Sequence, residues 1–112
     1  MNSSDIDNIE ISQLLLDFDK LLEHRARLAI MSLLNLYDKI AFKRFKQLLN
    51  ETDGNLGAQL RKLEEAGYIT VNKEFENRRP VSWYSATKQG RVARTAHLNA
   101  LVQLAEVGAG ND

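Results

Sequence analysis

Residues 52–67 read TDGNLGAQLRKLEEAG, and the rest of the chain is arranged around this stretch. Placed on a helix, Leu56, Leu60 and Leu63 fall at i, i+4 and i+7, while Ala58, Arg61 and Glu65 project about 180° away with Asn55 and Lys62 beside them. One face is core and the other is polar. Thr52 is a capping residue type, Asp53 suits the positive end of the helix dipole, and Gly67 is the residue type that closes helices in the left-handed conformation. Gly54, Gly57 and Ala58 lie on or near the outward face, where Glu or Lys is usual because glycine costs roughly 1 kcal/mol against alanine. Small residues there imply that something bulky approaches the backbone, and we read it as the floor of a DNA major groove.

Only Asn50 and Glu51 separate the Thr52 cap from the preceding apolar repeat, in which Phe42, Phe45 and Leu49 recur at i, i+3 and i+7 with Lys43, Arg44 and Lys46 outward. Two short helices joined by so short a turn form a helix-turn-helix. The helix of that apolar repeat starts without a good cap, since Ala41 stands where Ser, Thr or Asp is favoured. Ile40 and Ala41 suffice for a single bridging strand. Upstream, Ile30, Leu33, Leu34 and Tyr37 repeat at helical spacing, with Leu28 and Met31 widening the stripe, which predicts a core helix over 24–37. An earlier helix over about 9–18 carries more apolar residues than one stripe needs, and Asp19 is placed to cap the helical segment after it.

Downstream of Gly67, residues 68–75 read as a strand, residues 76–79 as a polar turn with a basic tip, and residues 81–86 as the returning strand, with Pro80 suited to the start of an edge strand. Thr87 then caps a last helix running to about residue 107, again richer in apolar residues than a small core can cover. Residues 1–8 and 108–112 are expected to be frayed ends.

Length and composition bound the function. At 112 residues and 44% apolar content the chain supports one domain over 1–112, with a core at about 19–91 and terminal helices at about 9–18 and 87–107. There is no cysteine, and His24 and His97 stand far apart, so neither a disulfide nor a metal site is expected. No apolar run is long enough to span a membrane and the first residues do not resemble a secretory signal, which makes the cytoplasm the expected location. No nucleophile elbow, phosphate loop or distinctive carboxylate pair is visible, so no enzyme and no cofactor is expected.

The net charge is zero, but its distribution is uneven. Residues 1–38 carry three basic and seven acidic side chains, residues 39–91 eleven and six, and residues 92–112 one and two. A polyanion senses the basic middle, because fields are screened within roughly 8 to 10 Å.

The order of helix, short helix, outward-reading helix, hairpin and helix is that of a winged helix-turn-helix. The chain resembles the short, stand-alone winged-helix regulators grouped with the MarR and ArsR types. The matching residues are His24-Arg25-Ala26-Arg27-Leu28-Ala29-Ile30, Thr52-Asp53-Gly54-Asn55-Leu56, Leu63-Glu64-Glu65-Ala66-Gly67-Tyr68-Ile69 and Trp83-Tyr84-Ser85-Ala86-Thr87-Lys88-Gln89-Gly90. Ala41 and Ala86 depart from the usual pattern, in which a capping residue and a larger apolar residue stand there. The expected fold is mainly α with a small β-hairpin wing (α+β), with extra N- and C-terminal helices for dimerisation. The resemblance implies a cytoplasmic, homodimeric transcriptional regulator, a repressor in preference to an activator, that binds double-stranded DNA. A protein-interaction module without DNA binding is the alternative, and no small-molecule effector can be named.

On that resemblance Asn55 and Arg61 are read as reaching base edges, Thr52 and Lys62 as holding phosphates, and Gly57 and Ala58 as permitting close approach. Asn77, Arg78 and Arg79 are read as a wing tip on the backbone or in the minor groove, and Lys43 and Arg44 as further phosphate contacts. Ordinary solvated surfaces are the competing reading for each. His24 is expected to pack or cap, and His97 to have no special role.

Overall fold

The computed structural model describes residues 8–107, so the expected frayed ends lie outside the described residues except for Asn8. Five α-helices and a three-stranded antiparallel sheet succeed one another as α1 (Asn8–Leu16), a 3-10 turn (Lys20–Glu23), α2 (Arg25–Leu36), β1 (Ile40–Ala41), α3 (Phe42–Leu49), α4 (Asp53–Glu65), β2 (Ile69–Glu76), β3 (Arg79–Ala86) and α5 (Lys88–Glu106). The fold is a winged helix.

The core forms where the periodic faces meet. Ile30, Met31 and Leu34 of α2, Phe45 of α3 and Leu56, Leu60 and Leu63 of α4 are buried together with Leu22, Ile40 and Ile69. Burying side chains of this size contributes about 1.5 to 3 kcal/mol each. Tyr37, expected on the α2 stripe, is instead the C-cap of that helix and half exposed, because the chain turns extended there and leaves the helical repeat.

Local chemistry sets the helix ends. His24 caps α2, its Nδ1 accepting from the Ala26 N–H at 3.1 Å. Thr52 caps α4 by accepting from the Asn55 N–H at 3.2 Å. At the far end Gly67 has φ +80°, the Tyr68 N–H donates to the Leu63 carbonyl and the Gly67 N–H to the Glu64 carbonyl, the paired closure that only a left-handed residue permits. α3 has no side-chain cap at Ala41; its entry is set instead by β1, which pairs Ile40 with Tyr84 and Ala41 with Trp83. Asn50, left-handed at φ 53°, ends α3 and starts the turn into α4.

Three expectations are corrected. The first helix closes at Leu16 instead of residue 18, since the Asp17 and Phe18 N–H groups bond three residues back and the chain then reverses through the 3-10 turn that Asp19 caps. Arg79 is the first residue of β3, paired with Glu76, leaving Asn77 and Arg78 alone as the turn. Pro80, the second residue of β3, stands in a central strand instead of at the start of an edge strand, because the sheet order is β1-β3-β2. It is tolerated because β1 pairs only with Trp83 and Tyr84, so β3 has no second neighbour beside Pro80.

The terminal helices are tied to the core by a polar joint. His97 on α5, 1% exposed, accepts the Asp19 N–H at its Nδ1 (2.9 Å), and Phe18 stands edge-on to the imidazole at 5.5 Å between ring centres. The Tyr68 phenol donates to the Asp19 carboxylate, and burial together with that hydrogen bond and charge pushes the phenol pKa up to about 12. Asp19 thus holds α5, the start of β2 and the 3-10 turn at once. The molecule measures 61 × 25 × 22 Å with a radius of gyration of 17.4 Å, against about 13 Å for a compact chain of this length.

Candidate nucleic-acid interface

α4 presents its polar face unobstructed. Thr52, Asp53, Gly54, Asn55, Arg61, Lys62 and Glu65 are exposed, Gly57 and Ala58 are half exposed, and a Cβ built on Gly54 or Gly57 would meet nothing within 4 Å. The small residues are therefore not there to let the chain pack on itself. At about 100° per residue, Asn55 and Arg61 stand about 120° apart around the helix and about 9 Å apart along it, so they face different positions on any ligand.

The N-terminal end of α4 is acidic by sequence, yet both acids are engaged. Asp53 pairs with Lys46 of α3 at 2.8 Å, and the Glu51 carboxylate accepts from the Asn55 Nδ2 at 2.6 Å. The first pair is exposed on both sides and contributes at most about 1 kcal/mol. What it does is neutralise the carboxylate nearest the helix start.

Asn55 is more constrained than its spacing suggested. Its Oδ1 accepts from the Gln59 Nε2 at 3.3 Å, and Gln59, buried at 7% exposure, accepts at Oε1 from the Arg27 Nη1 at 2.5 Å. Glu51, Gln59 and Arg27 were not among the predicted site residues. Glu51, Asn55 and Gln59 recur at i, i+4 and i+8, a signal present in the sequence, whereas Arg27 comes from α2, 32 residues before Gln59.

Lys43 and Arg44 are exposed on the first turn of α3, and Arg44 makes only a long contact of 3.4 Å to the Gln47 Oε1. Asn77, Arg78 and Arg79 are all exposed at the far end of the hairpin. Asn77 and Arg78 have φ 50° and 66°, the two left-handed positions of a type I′ turn. Asn suits the first, but the second is normally Gly, and holding an L-residue with a long side chain there costs roughly 1 kcal/mol. Lys39 lies over the Trp83 ring at 4.6 Å beside the same sheet, a contact absent from the sequence reading. Burial, with the charge of Glu64 adding to it against a Ser82 hydrogen bond, raises the Tyr84 phenol pKa at the base of the wing.

Among the described residues no helix is long and apolar enough to cross a membrane. Residues 26–105 match the family described as Winged helix DNA-binding domain. An uncharacterized protein of Methanocaldococcus jannaschii is 33% identical over 87 residues, covering 78% of this chain and 95% of its own length. The structure of a transcriptional regulator homologue protein from Pyrococcus horikoshii OT3 is similar at a TM-score of 0.76 and 26% identity, over 87% of this chain and 94% of that one. MarR from E. coli in its apo form is similar at a TM-score of 0.60 and 18% identity, over 87% of this chain and 76% of that one, a likeness of fold. With its helix order, its hairpin and most of its length accounted for in this way, the chain belongs to the winged helix DNA-binding domain family and shares its fold with MarR.

Proposed function

We infer that this protein is a sequence-specific double-stranded DNA-binding regulator, a cytoplasmic homodimer that represses by occupying its site. The observation that carries the reading is the open outward face of α4, where glycines with empty space above them stand among Asn55, Arg61 and Lys62. A face of this kind sits close to base edges, where Arg pairs with guanine and Asn with adenine at about 1 to 3 kcal/mol of discrimination each. Thr52 and Lys62, with Lys43 and Arg44, are assigned to phosphates. Arg78 keeps a side chain at a backbone position where glycine is less strained, which supports a role for the wing tip on the phosphate backbone or in the minor groove.

Arg61→Ala is expected to relax base preference with little change in binding to random duplex. Arg78→Ala is expected to weaken binding to every duplex and to flatten the dependence of log K on log salt by roughly 0.9 per lost phosphate contact. Fluorescence anisotropy titrations across a salt series separate the two. Wild-type protein with no salt-dependent duplex binding would instead mark an interaction module that does not bind DNA.

The dimer rests on an unpartnered stripe of α5. Val92, Thr95, Ala96, Asn99 and Val102 lie along one side of the helix, Val92 and Val102 exposed among them, and Leu15 and Leu16 of α1 are exposed as well. Covering this surface at about 25 cal/mol per Å² offsets the cost of leaving it wet, and the small Thr95 and Ala96 allow two helices to approach closely. Two copies of α4 would then meet half-sites about 10 base pairs apart. Light scattering at micromolar concentration is expected to give twice the chain mass, and a stable monomer would remove the two-fold arrangement.

A further inference from the structure

The hydrogen bonds through Asn55 run in one direction. Arg27 donates from Nε to the Leu21 carbonyl at 2.6 Å and from Nη1 to the Gln59 Oε1 at 2.5 Å. Gln59 donates from Nε2 to the Asn55 Oδ1 at 3.3 Å, and Asn55 donates from Nδ2 to the Glu51 Oε2 at 2.6 Å. The two ends enforce this sense. A guanidinium has only donors, so Gln59 must turn its oxygen to Arg27 and its NH2 to Asn55; an ionised carboxylate has only acceptors, so Asn55 must turn its NH2 to Glu51. Flipping the Asn55 amide would set its oxygen against the carboxylate and its NH2 against that of Gln59.

The amide so held is not exhausted. It retains one N–H and one oxygen lone pair, the donor and acceptor that the N7 and N6 edge of adenine requires. Its donor lies toward the N-terminal end of α4 and its acceptor toward the C-terminal end, because Glu51 precedes Asn55 and Gln59 comes after it. Adenine on one strand presents N7 and N6 in the matching order, and on the other strand in the reverse order.

We propose that Glu51 and Gln59 are positioning residues that fix the polarity of the Asn55 amide, so that α4 accepts an A·T pair in one strand orientation and rejects T·A at that position. This rests on α4 being the DNA-reading helix. Arg27, braced on the Leu21 carbonyl, anchors the relay from α2.

The test is a competition titration between the protein's selected duplex and the same duplex with that one pair inverted. Wild type is expected to prefer one orientation by about tenfold, the size of a single good base contact. Asn55→Ala, a change at an exposed position, should abolish the preference. Gln59→Glu alone should reduce it to about twofold or less, because Asn55 then stands between two carboxylates and is asked to donate at both ends; Glu51→Gln alone should keep the wild-type preference, because an amide at position 51 can still turn its oxygen to Asn55 while Arg27 and Gln59 hold the sense. The double variant Glu51→Gln with Gln59→Glu keeps the net charge and reverses both bonds of the Asn55 amide: the carboxylate at position 59 accepts from Asn55, and the amide at position 51 donates to it. Its preference should invert. A purely structural role for Gln59 moves the melting temperature and the affinity for all duplexes, and inverts nothing. A double variant with the wild-type preference, or Asn55→Ala retaining it, overturns the relay while leaving DNA binding intact; wild type binding no duplex overturns both.

Discussion

Gly90→Ala is expected to destabilise the fold by at least about 3 kcal/mol, seen as a fall in thermal midpoint of about 12 °C or more by circular dichroism. A Cβ on Gly90 would lie 2.3 Å from the Tyr68 carbonyl oxygen, 2.7 Å from the Met31 Cε and 3.0 Å from the Tyr68 carbonyl carbon. Methionine can swing aside, but the carbonyl cannot. Tyr68 is held at its N–H by the Leu63 carbonyl, at its own carbonyl by the Thr87 N–H (3.0 Å), and at its phenol by Asp19. Thr87 adds a bond from Oγ1 to the Gly67 carbonyl at 2.7 Å while accepting the Gly90 N–H at 3.0 Å. One methyl group therefore pushes apart the closure of α4, the first residues of β2 and the start of α5 together. A midpoint within about 2 °C of wild type would mean that this junction yields far more readily than its bonds imply.

That junction also shows how far sequence reasoning reaches. Thr52, Gly67 and Thr87 could be assigned because a cap or a left-handed closure is decided by residues three or four positions away. Leu56, Leu60 and Leu63 could be assigned because helical spacing alone puts them on one face. The joint at His97 could not: its partner is a backbone N–H 78 residues earlier, and nothing near His97 distinguishes a buried acceptor from a surface histidine. The same limit hid Gln59, which lies toward the buried side of α4 and is tolerated there only because Arg27 arrives from another helix. The hairpin is legible in outline. Its turn reads as one residue too long at each end because four polar residues in a row conceal which of them pair, and pairing depends on the turn type that Asn77 and Arg78 adopt.

The candidate interface makes a prediction in which stability and binding move in opposite directions. Gly54→Glu is expected to raise the thermal midpoint by a few degrees while reducing duplex affinity by about 100-fold or more. The gain comes from replacing a helical glycine, worth roughly 0.5 to 1 kcal/mol, and from placing a negative charge in the first turn of α4. Nothing within 4 Å opposes the new side chain. The loss comes from where that side chain goes. Asp53 is already neutralised by Lys46 and Glu51 is engaged by Asn55, so the added carboxylate would be the unpaired one at the end of the helix proposed to enter the groove first, and like charges juxtaposed across an interface cost several kcal/mol. Gly54→Ala serves as the control, since it keeps the gain in stability without the charge and should bind within about threefold of wild type. Differential scanning calorimetry and anisotropy on the same preparations read both signs. A stabilised Gly54→Glu protein that binds duplex as wild type does would move the contact away from the start of α4, because misfolding is excluded by the first measurement and only the location of the interface is left to be wrong.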